Sequence, residues 1–288
     1  MKKHILLFTV LISCSFTIFS QEKIEISQIK EGWKRSGKVA ITFNQSTFSN
    51  WVAGGENSLA ANAFINYDFN YRKGDWRWDN KIITAYGMTR TKSNGTRKMD
   101  DRLEFNSVVG KKASKYWFYS AFFNFQSQFT NGYDYKTDPD AEMPVSKFLA
   151  PAYASFGPGL MYKKDDQFKF NLSPITSKII IVADDYLSSI GAYGVSPNDK
   201  SRYELGFNAS LYHKKDIMVN VSMENILNLY ANYLEDFQNV DVNYQLNIVL
   251  QVNKYLSTNI QFHTIIDDNI SKKPQFKEVL GVGANFLF

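Results

Sequence analysis

Apolar and polar residues alternate along most of the chain with a period of two, which is typical of β-strands. In "LAANAFINYDFNY", residues 59–71, the odd positions are mostly apolar and the even positions mostly polar. Twelve segments of this kind follow one another, and we predict a strand at each. They are 38–48, 59–71, 76–90, 100–111, 116–129, 152–162, 168–181, 202–211, 217–229, 240–252, 256–266 and 276–288.

The lengths of these segments distinguish two classes of all-β protein. Strands of a water-soluble sandwich usually run about five or six residues, whereas a tilted strand crosses a bilayer in about nine to eleven. The segments here run from about ten to about fifteen residues, and beyond the first twenty residues no run of about 18 apolar residues predicts a membrane helix. We therefore predict an all-β fold, a transmembrane antiparallel up-and-down barrel of about 12 strands, because a closed sheet satisfies every backbone group in lipid.

The connections predict an orientation. Short turns follow the even-numbered strands and longer connections follow the odd ones, the longest being 131–151 and 182–200. Outer-membrane barrels keep short turns in the periplasm, so we expect both termini to be periplasmic. Aromatic residues flank the short turns and predict a periplasmic girdle at the lipid headgroups. They are Trp76, Trp78, Tyr116, Trp117, Tyr162, Phe168, Tyr212 and Tyr255.

The first residues predict export. Lys2 and Lys3 precede an apolar stretch, and polarity rises at once after Ser20, the pattern of a signal peptide at 1–20. A short periplasmic segment, 21–35, and a barrel, 36–288, would follow, with the protein in the cell outer membrane. A second interpretation takes "LISC" as a lipobox with Cys14 lipidated, but the apolar region continues beyond Cys14, which favours removal. Removal would leave the mature chain without cysteine and without disulfides.

Composition narrows the partners. The formal charge of +5 is small and scattered, and 16% of residues are aromatic, so we expect no nucleic-acid partner. We expect outer-membrane lipids and lipopolysaccharide as surroundings, a small polar solute and an unidentified protein as further partners, and no cofactor. Phe288, the terminal residue of the last apolar row, resembles the aromatic that barrel-insertion machinery recognises.

Candidate catalytic and metal chemistry is weak. A lipid-hydrolysing barrel would need serine and histidine together on its lipid-facing side, whereas His263 falls on the inward row near Gln245. We therefore expect no catalytic site. The acidic loop resembles the start of a calcium loop, but Met143 stands where glycine is needed, so a solvated loop is favoured. Its acids are Asp134, Asp138, Asp140 and Glu142.

Three sets of residues remain as candidates for function. Arg102, Glu104, Arg202, Glu204 and His263 are predicted to line the lumen or its outer mouth. The first outward connection contains Asn50, Trp51, Gly54, Gly55 and Glu56; a strand follows it, so it is a turn rather than a phosphate loop, which needs a helix. Pro158 and Pro174 interrupt strands six and seven, because proline donates no ladder hydrogen bond; either a bulge that tunes curvature or a lateral opening would result.

Four motifs together resemble a known family. They are "NWVAGGENS" at 50–58, "WRWDN" at 76–80, "AYG" at 85–87 and "NLSPITSK" at 171–178. In these the chain resembles the bacterial family catalogued as domain of unknown function 3078, over most of residues 32–288. The resemblance implies an outer-membrane barrel and transfers no catalytic residue.

Two functions are compatible with these patterns. The first is a narrow polar channel or transporter for a small solute, with a lateral opening near strands six and seven. The alternative is a non-transporting barrel that serves as a subunit of a secretion, surface-assembly or motility complex, with its lumen closed by opposite charges pairing across it.

Overall fold

The computed structural model describes residues 31–49 and 56–288, and in these residues twelve antiparallel strands form a closed barrel. The twelve predicted segments are therefore confirmed as barrel strands. In chain order the strands are β1 (Gly32–Ser46), β2 (Ser58–Lys73), β3 (Trp76–Thr91), β4 (Gly95–Lys112), β5 (Trp117–Ser127), the short pair β6 (Gly132–Tyr133) and β7 (Pro144–Ser146), β8 (Ala152–Lys163), β9 (Phe168–Ile181), β10 (Ser201–Met218), β11 (Val221–Asn232), β12 (Val240–Gln251), β13 (Leu256–Asp267) and β14 (Ser271–Leu287). Between β9 and β10 lie helix α1 (Asp185–Ser189) and one 3₁₀ turn (Ala192–Gly194).

Each barrel strand pairs with the next one along the chain, and β6 and β7 pair with each other outside the barrel. The ring closes where β1 pairs with β14, with Val39 opposite Phe286 and Phe43 opposite Val282. Gly37 extends this ladder, because its N–H donates to the Phe288 carbonyl at 2.7 Å and its carbonyl accepts from the Phe288 N–H at 3.0 Å. Among the described strands, closure leaves no unpaired edge in the barrel itself.

The two faces of the barrel have opposite character. Large apolar side chains of the outward rows are exposed, among them Tyr119 at 66%, Phe43 at 59% and Leu280 at 54%. Inside, the carboxylates of Glu104 and Glu204 each retain 1% exposure. This is the reverse of a water-soluble protein, which rarely exposes so large a continuous apolar surface. No helix in the described ranges is long and apolar enough to cross a membrane.

The two ends of the barrel differ, and we name them by their connections. The turn end carries 74–75, 113–116, 164–167, 219–220 and 252–255, together with the start of β1 and the end of β14. The loop end carries 47–57, 92–94, 128–151, 182–200, 233–239 and 268–270. The two longest loops pack on each other around a small apolar cluster at this end, formed by Ala150, Ile180, Val182, Leu187 and Val195.

Three details differ from the sequence prediction. β1 begins at Gly32, so Gly32–Arg35 belongs to the barrel and not to the periplasmic segment predicted at 21–35; residues 1–30 lie outside the described ranges. β3 and β4 extend to a tight turn at 92–94, where Asn94 precedes Gly95 at φ 65°, a typical hairpin pair. Tyr212, predicted in the girdle, points into the lumen, because even positions of β10 face inward.

Candidate functional site in the barrel interior

A polar bridge crosses the middle of the lumen. Glu104 lies near the middle of β4 and is bound by the Arg102 guanidinium, whose Nη2 also donates to Gln245 Oε1 at 2.7 Å. In the cyclic strand order β4 and β12 are six steps apart in either direction. The contact between Arg102 and Gln245 therefore joins opposite walls of the barrel.

Amides extend this bridge along both walls. On one side Asn106 Nδ2 donates to Glu104 Oε1 at 2.7 Å, and Asn124 Nδ2 donates to Asn106 Oδ1 at 2.6 Å. On the other side His263 Nε2 lies 2.9 Å from Asn243 Oδ1, and His263 pairs in register with Gln245, as predicted. His263 is thus part of a hydrogen-bonded lumen wall.

A second bridge lies closer to the turn end. Lys81 Nζ is 2.9 Å from Glu224 Oε1 and 3.8 Å from Asp68 Oδ1. Its strands, β3 and β11, are also six steps apart in the ring. Asn247 Nδ2 donates to the other Glu224 oxygen at 3.2 Å, and the Lys81 ammonium lies 5.0 Å from the centre of the Tyr212 ring. The Glu224 carboxylate is therefore neutralised by a residue on the opposite wall.

Arg202 and Glu204 form a separate cluster at the loop end. Arg202 Nη2 is 2.7 Å from Glu204 Oε1 and 2.8 Å from Glu235 Oε2, a residue of the 233–239 loop. Lys178 Nζ joins them, at 3.3 Å from Glu204 Oε2 and 3.0 Å from Asp241 Oδ2. The four arginines and glutamates predicted to line the lumen or its mouth thus form two ion pairs, of which only Arg202 with Glu204 lies at the loop-end mouth.

A third cluster, at the turn end, was not anticipated from the sequence. Lys163 donates to both oxygens of Asp79, at 2.8 and 2.6 Å, and its Nζ lies 3.2 Å from Asp166 Oδ1. Asp166 in turn faces Lys34 at 3.4 Å and Arg72 at 4.0 Å. The signal in the sequence that could have placed Lys163 inside is its odd position on β8, since the outward row of that strand is even.

The charge around Asp166 lowers the pKa of its carboxyl. Burial alone would raise that pKa, but the ammonium groups of Lys163 and Lys34 favour the ionised form and bring the pKa to about 2. Asp166 therefore stays negative at any physiological pH and bridges the turn-end mouth from the 164–167 turn to β1.

The bridging side chains divide the interior into separate cavities. One of about 290 Å³ lies at the turn end, one of about 100 Å³ in the middle and one of about 170 Å³ at the loop end. Lys81 and Tyr212 line both the first and the middle cavity, while Asn106 and Asn228 line both the middle and the loop-end cavity. Within the described residues, the lumen is thus polar, narrow and interrupted by side chains.

Pro158 and Pro174 interrupt the ladder between β8 and β9. Pairing runs to Phe156 opposite Ser177 and resumes with Leu160 opposite Leu172. The strand break predicted at the two prolines is therefore present as a register shift. Two buried hydroxyls close it: Ser173 Oγ donates to the Pro158 carbonyl at 2.6 Å, and Thr176 Oγ1 donates to Ser173 Oγ at 2.9 Å.

Residues 43–133 match the DUF3078 family of proteins of unknown function. The match confirms the resemblance in "NWVAGGENS", "WRWDN" and "AYG", all within those residues.

Solved structures with a similar fold are outer-membrane proteins. An outer membrane channel from Pseudomonas putida F1 is 11% identical with a TM-score of 0.43, covering 93% of this chain and 100% of its own. The translocator domain of autotransporter NalP from Neisseria meningitidis is 9% identical with a TM-score of 0.39, covering 91% of each chain. At these scores the likeness carries no functional argument. None of the curated proteins matches the chain.

The first connection at the loop end, predicted to face outward, lies inside the DUF3078 match and is described only in part. Asn50, Trp51, Gly54 and Gly55 lie outside the described residues. Glu56 accepts hydrogen bonds from the Ser93 N–H and, at 2.8 Å, from Ser93 Oγ. These bonds, the backbone one first, lower the pKa of the Glu56 carboxyl. Glu56 therefore ties this connection to the neighbouring 92–94 turn.

The acids of the loop that was compared with a calcium loop make hydrogen bonds within that loop. Asp134 accepts from Thr137 Oγ1 at 2.8 Å, and Asp138 accepts from the Met143 N–H at 2.7 Å. Among the described residues, the acids whose oxygens converge are instead Asp241, Asp267 and Asp268 at the loop end. Lys178 already neutralises Asp241 there.

Proposed function

We propose that this barrel spans the cell outer membrane, with the turn end and both termini in the periplasm. The exposed apolar rows supply a lipid-facing surface. Aromatic rings cluster beside the turn end. The ring centres of Trp33 and Trp78 lie 5.7 Å apart there, and those of Trp117 and Tyr162 lie 5.3 Å apart. Such rings favour the headgroup level of a bilayer. Outer-membrane lipids would be the partners of these rings, and lipopolysaccharide would surround the loop end.

Within the membrane, the function that the geometry supports best is a narrow channel for a small polar solute. The observation that carries it is the filling of the lumen: bridges of Lys81 with Glu224 and of Arg102 with Gln245, with cavities between them. Apolar packing would stabilise a solid core at least as well as buried ion pairs do. A wall of amides and paired charges instead suits transient exchange of its hydrogen bonds with a passing solute.

Conductance in planar bilayers tests this proposal. We expect small single-channel steps from the purified protein and larger steps from a Lys81→Ala, Glu224→Ala double variant. This variant removes the bridge and one charge of each sign, and it leaves Asp68, the second partner of Lys81, with 34% of its side chain exposed to water. A Lys200→Ala, Asp185→Ala variant is the matched control, because it removes an ion pair of the exposed 182–200 loop. Persistent absence of steps from every one of these proteins would contradict the channel.

The same bridges also favour the alternative, a non-transporting barrel acting as a subunit of an envelope complex. Apolar side chains on the loops support it, since Leu234 is 63% and Phe237 56% exposed beyond the barrel wall. The mass of the native assembly, extracted in mild detergent at natural abundance, discriminates between the two. A lone monomer would contradict the subunit function, and a stable larger complex without conductance would favour it.

A lateral opening at the β8–β9 break is a finer proposal. The pairing register is interrupted between Phe156 and Leu160, where the Ser173 hydroxyl bonds to the Pro158 carbonyl, so this seam is weaker than a continuous ladder. A photoreactive lipid-like ligand should label Phe156 and Leu172 more strongly than Leu246, an outward residue on a regular strand. Equal labelling at the three positions would contradict the opening.

A further inference from the structure

One inward lysine differs from four other cations of the lumen. Lys81, Arg102, Lys163 and Lys178 each have a carboxylate partner, whereas Lys38 Nζ donates to the amide oxygen of Asn259 at 2.8 Å and forms no salt bridge within the described ranges. Lys38 lines the cavity of about 290 Å³ at the turn end. A cation without a counter-charge, half-buried at a cavity wall, favours an anionic ligand.

Two amide oxygens beside Lys38 lack donors. Asn66 lies directly opposite Lys38 in the β1–β2 register, and Asn285 lies on β14, the strand on the other side of β1. The Oδ1 atoms of both are buried without a hydrogen-bond partner among the described residues. Asn285 is 3% exposed, and its Nδ2 already donates to Ser257 Oγ. Buried polar atoms normally have partners, so these two oxygens await a donor.

The acids of the same cavity do not compensate Lys38. Glu224 and Asp68 are held by Lys81, at 2.9 and 3.8 Å. Asp216 stands on β10 near the 219–220 turn, in an exposed position. Lys214, which also lines this cavity, is exposed on the same strand as Asp216. Within the described ranges, the partly buried charge of this cavity without a counter-charge is therefore the Lys38 ammonium.

We propose that Lys38, Asn66 and Asn285 form a subsite for a small carboxylate that also carries a hydroxyl or ammonium donor, such as a hydroxy acid. The carboxylate accepts from Lys38 Nζ, and the donor binds the free Asn66 or Asn285 oxygen. The proposal names the solute class of the channel proposed above and rests on that function for its role, although binding itself is measurable without transport.

Ligand binding to the full-length protein in lipid nanodiscs tests the subsite, with lactate as probe and saturation-transfer NMR as readout. We expect Lys38→Met to weaken lactate binding by about tenfold, the usual order for one charged hydrogen bond. Lys112→Met, at an exposed position at the end of β4, is the matched control and should bind as the wild type does. Propionate, which lacks the hydroxyl, should bind the wild-type protein more weakly than lactate.

The comparison of lactate with propionate uses only the wild-type protein, so it still tests the subsite if Lys38→Met does not fold. Lactate and propionate binding equally, no lactate binding, or a folded Lys38→Met protein that binds lactate as the wild type does would each overturn the subsite. Inorganic phosphate binding in preference to lactate would overturn the carboxylate class. If lactate binding depends on Lys38 but the protein shows no conductance, the result would support the subsite and contradict only the proposed channel.

Discussion

At the residue scale, the interior is organised by ion pairs whose partners come from distant parts of the chain. Alternation on each strand predicts that Glu104, Glu204 and His263 face inward, and they do. It does not predict their partners, because the strand that lies opposite in a closed ring depends on strand number and stagger. Arg102 and Glu104 are two residues apart on one strand, so their proximity follows from the sequence. The contact of Arg102 with Gln245 on the opposite wall does not follow from it.

The ion pair between Lys163 and Asp79 gives the first residue-scale prediction. Lys163→Met leaves the buried Asp79 carboxylate with Lys169 alone, at 3.4 Å, and should lower the free energy of unfolding by about 3 kcal/mol. Urea unfolding in lipid vesicles measures this. Lys164→Met, at the adjacent exposed position, should have almost no effect, and Asp79→Asn combined with Lys163→Met should lose less than Lys163→Met alone. Equal losses for Lys163→Met and Lys164→Met would contradict the buried pair.

Asp166 gives a pH prediction. Its folded-state pKa, about 2, lies below the usual value for an aspartate. Stability from its ion pairs is therefore complete above the unfolded-state pKa and is lost as the pH falls toward 2. The contribution of Asp166, measured as the difference in unfolding midpoint between the wild type and Asp166→Asn, should stay constant from pH 8 to about pH 5 and shrink below about pH 4. A variant with the same acid profile as the wild type would contradict this assignment.

At the element scale, the sequence predicts strand existence well and strand ends less well. The apolar rows identify all twelve barrel strands, because a lipid-facing surface demands an apolar residue at every second position. Beyond the bilayer that demand ends, so β3 and β4 continue as a polar hairpin that alternation does not detect. Asn94-Gly95 is the local signal for that hairpin. The two prolines predict the break between β8 and β9. The hydrogen bonds that the Ser173 and Thr176 hydroxyls make at the break could not be predicted, because they depend on the register of the two strands.

The break depends on glycine. A Cβ added to Gly157 would lie 2.2 Å from the Ile175 carbonyl oxygen, so Gly157→Ala should cost about 1–3 kcal/mol of stability. Gly87→Ala, whose Cβ would meet Asn62 and Asp100 at 3.2 Å, should cost less. Heat-modifiability on semi-native gels, which separates folded from unfolded barrels, measures both. A Gly157→Ala barrel as stable as the wild type would contradict the close packing of β8 against β9.

At the scale of the whole molecule, the apolar exterior and the polar, partly bridged interior are the two properties on which the proposed path for small polar solutes along the barrel axis rests. The residues that line the lumen were predictable from their odd or even position on each strand. The division of the lumen into three main cavities was not, because side chains from opposite walls meet only in the closed barrel. The most useful variants for function are therefore those that act on the axis without altering an ion pair.

Gln261 is such a residue, because it lines the turn-end cavity and its neighbour Phe262 faces outward, against Phe276. In a background with the single Cys14 changed to serine, Gln261→Cys and Phe262→Cys barrels are recorded in planar bilayers while a charged methanethiosulfonate reagent is added. We expect the single-channel current of Gln261→Cys to fall in discrete steps as the thiol is modified, and that of Phe262→Cys to stay constant. An unchanged Gln261→Cys current, with modification verified by mass spectrometry, would contradict a solute path through the lumen.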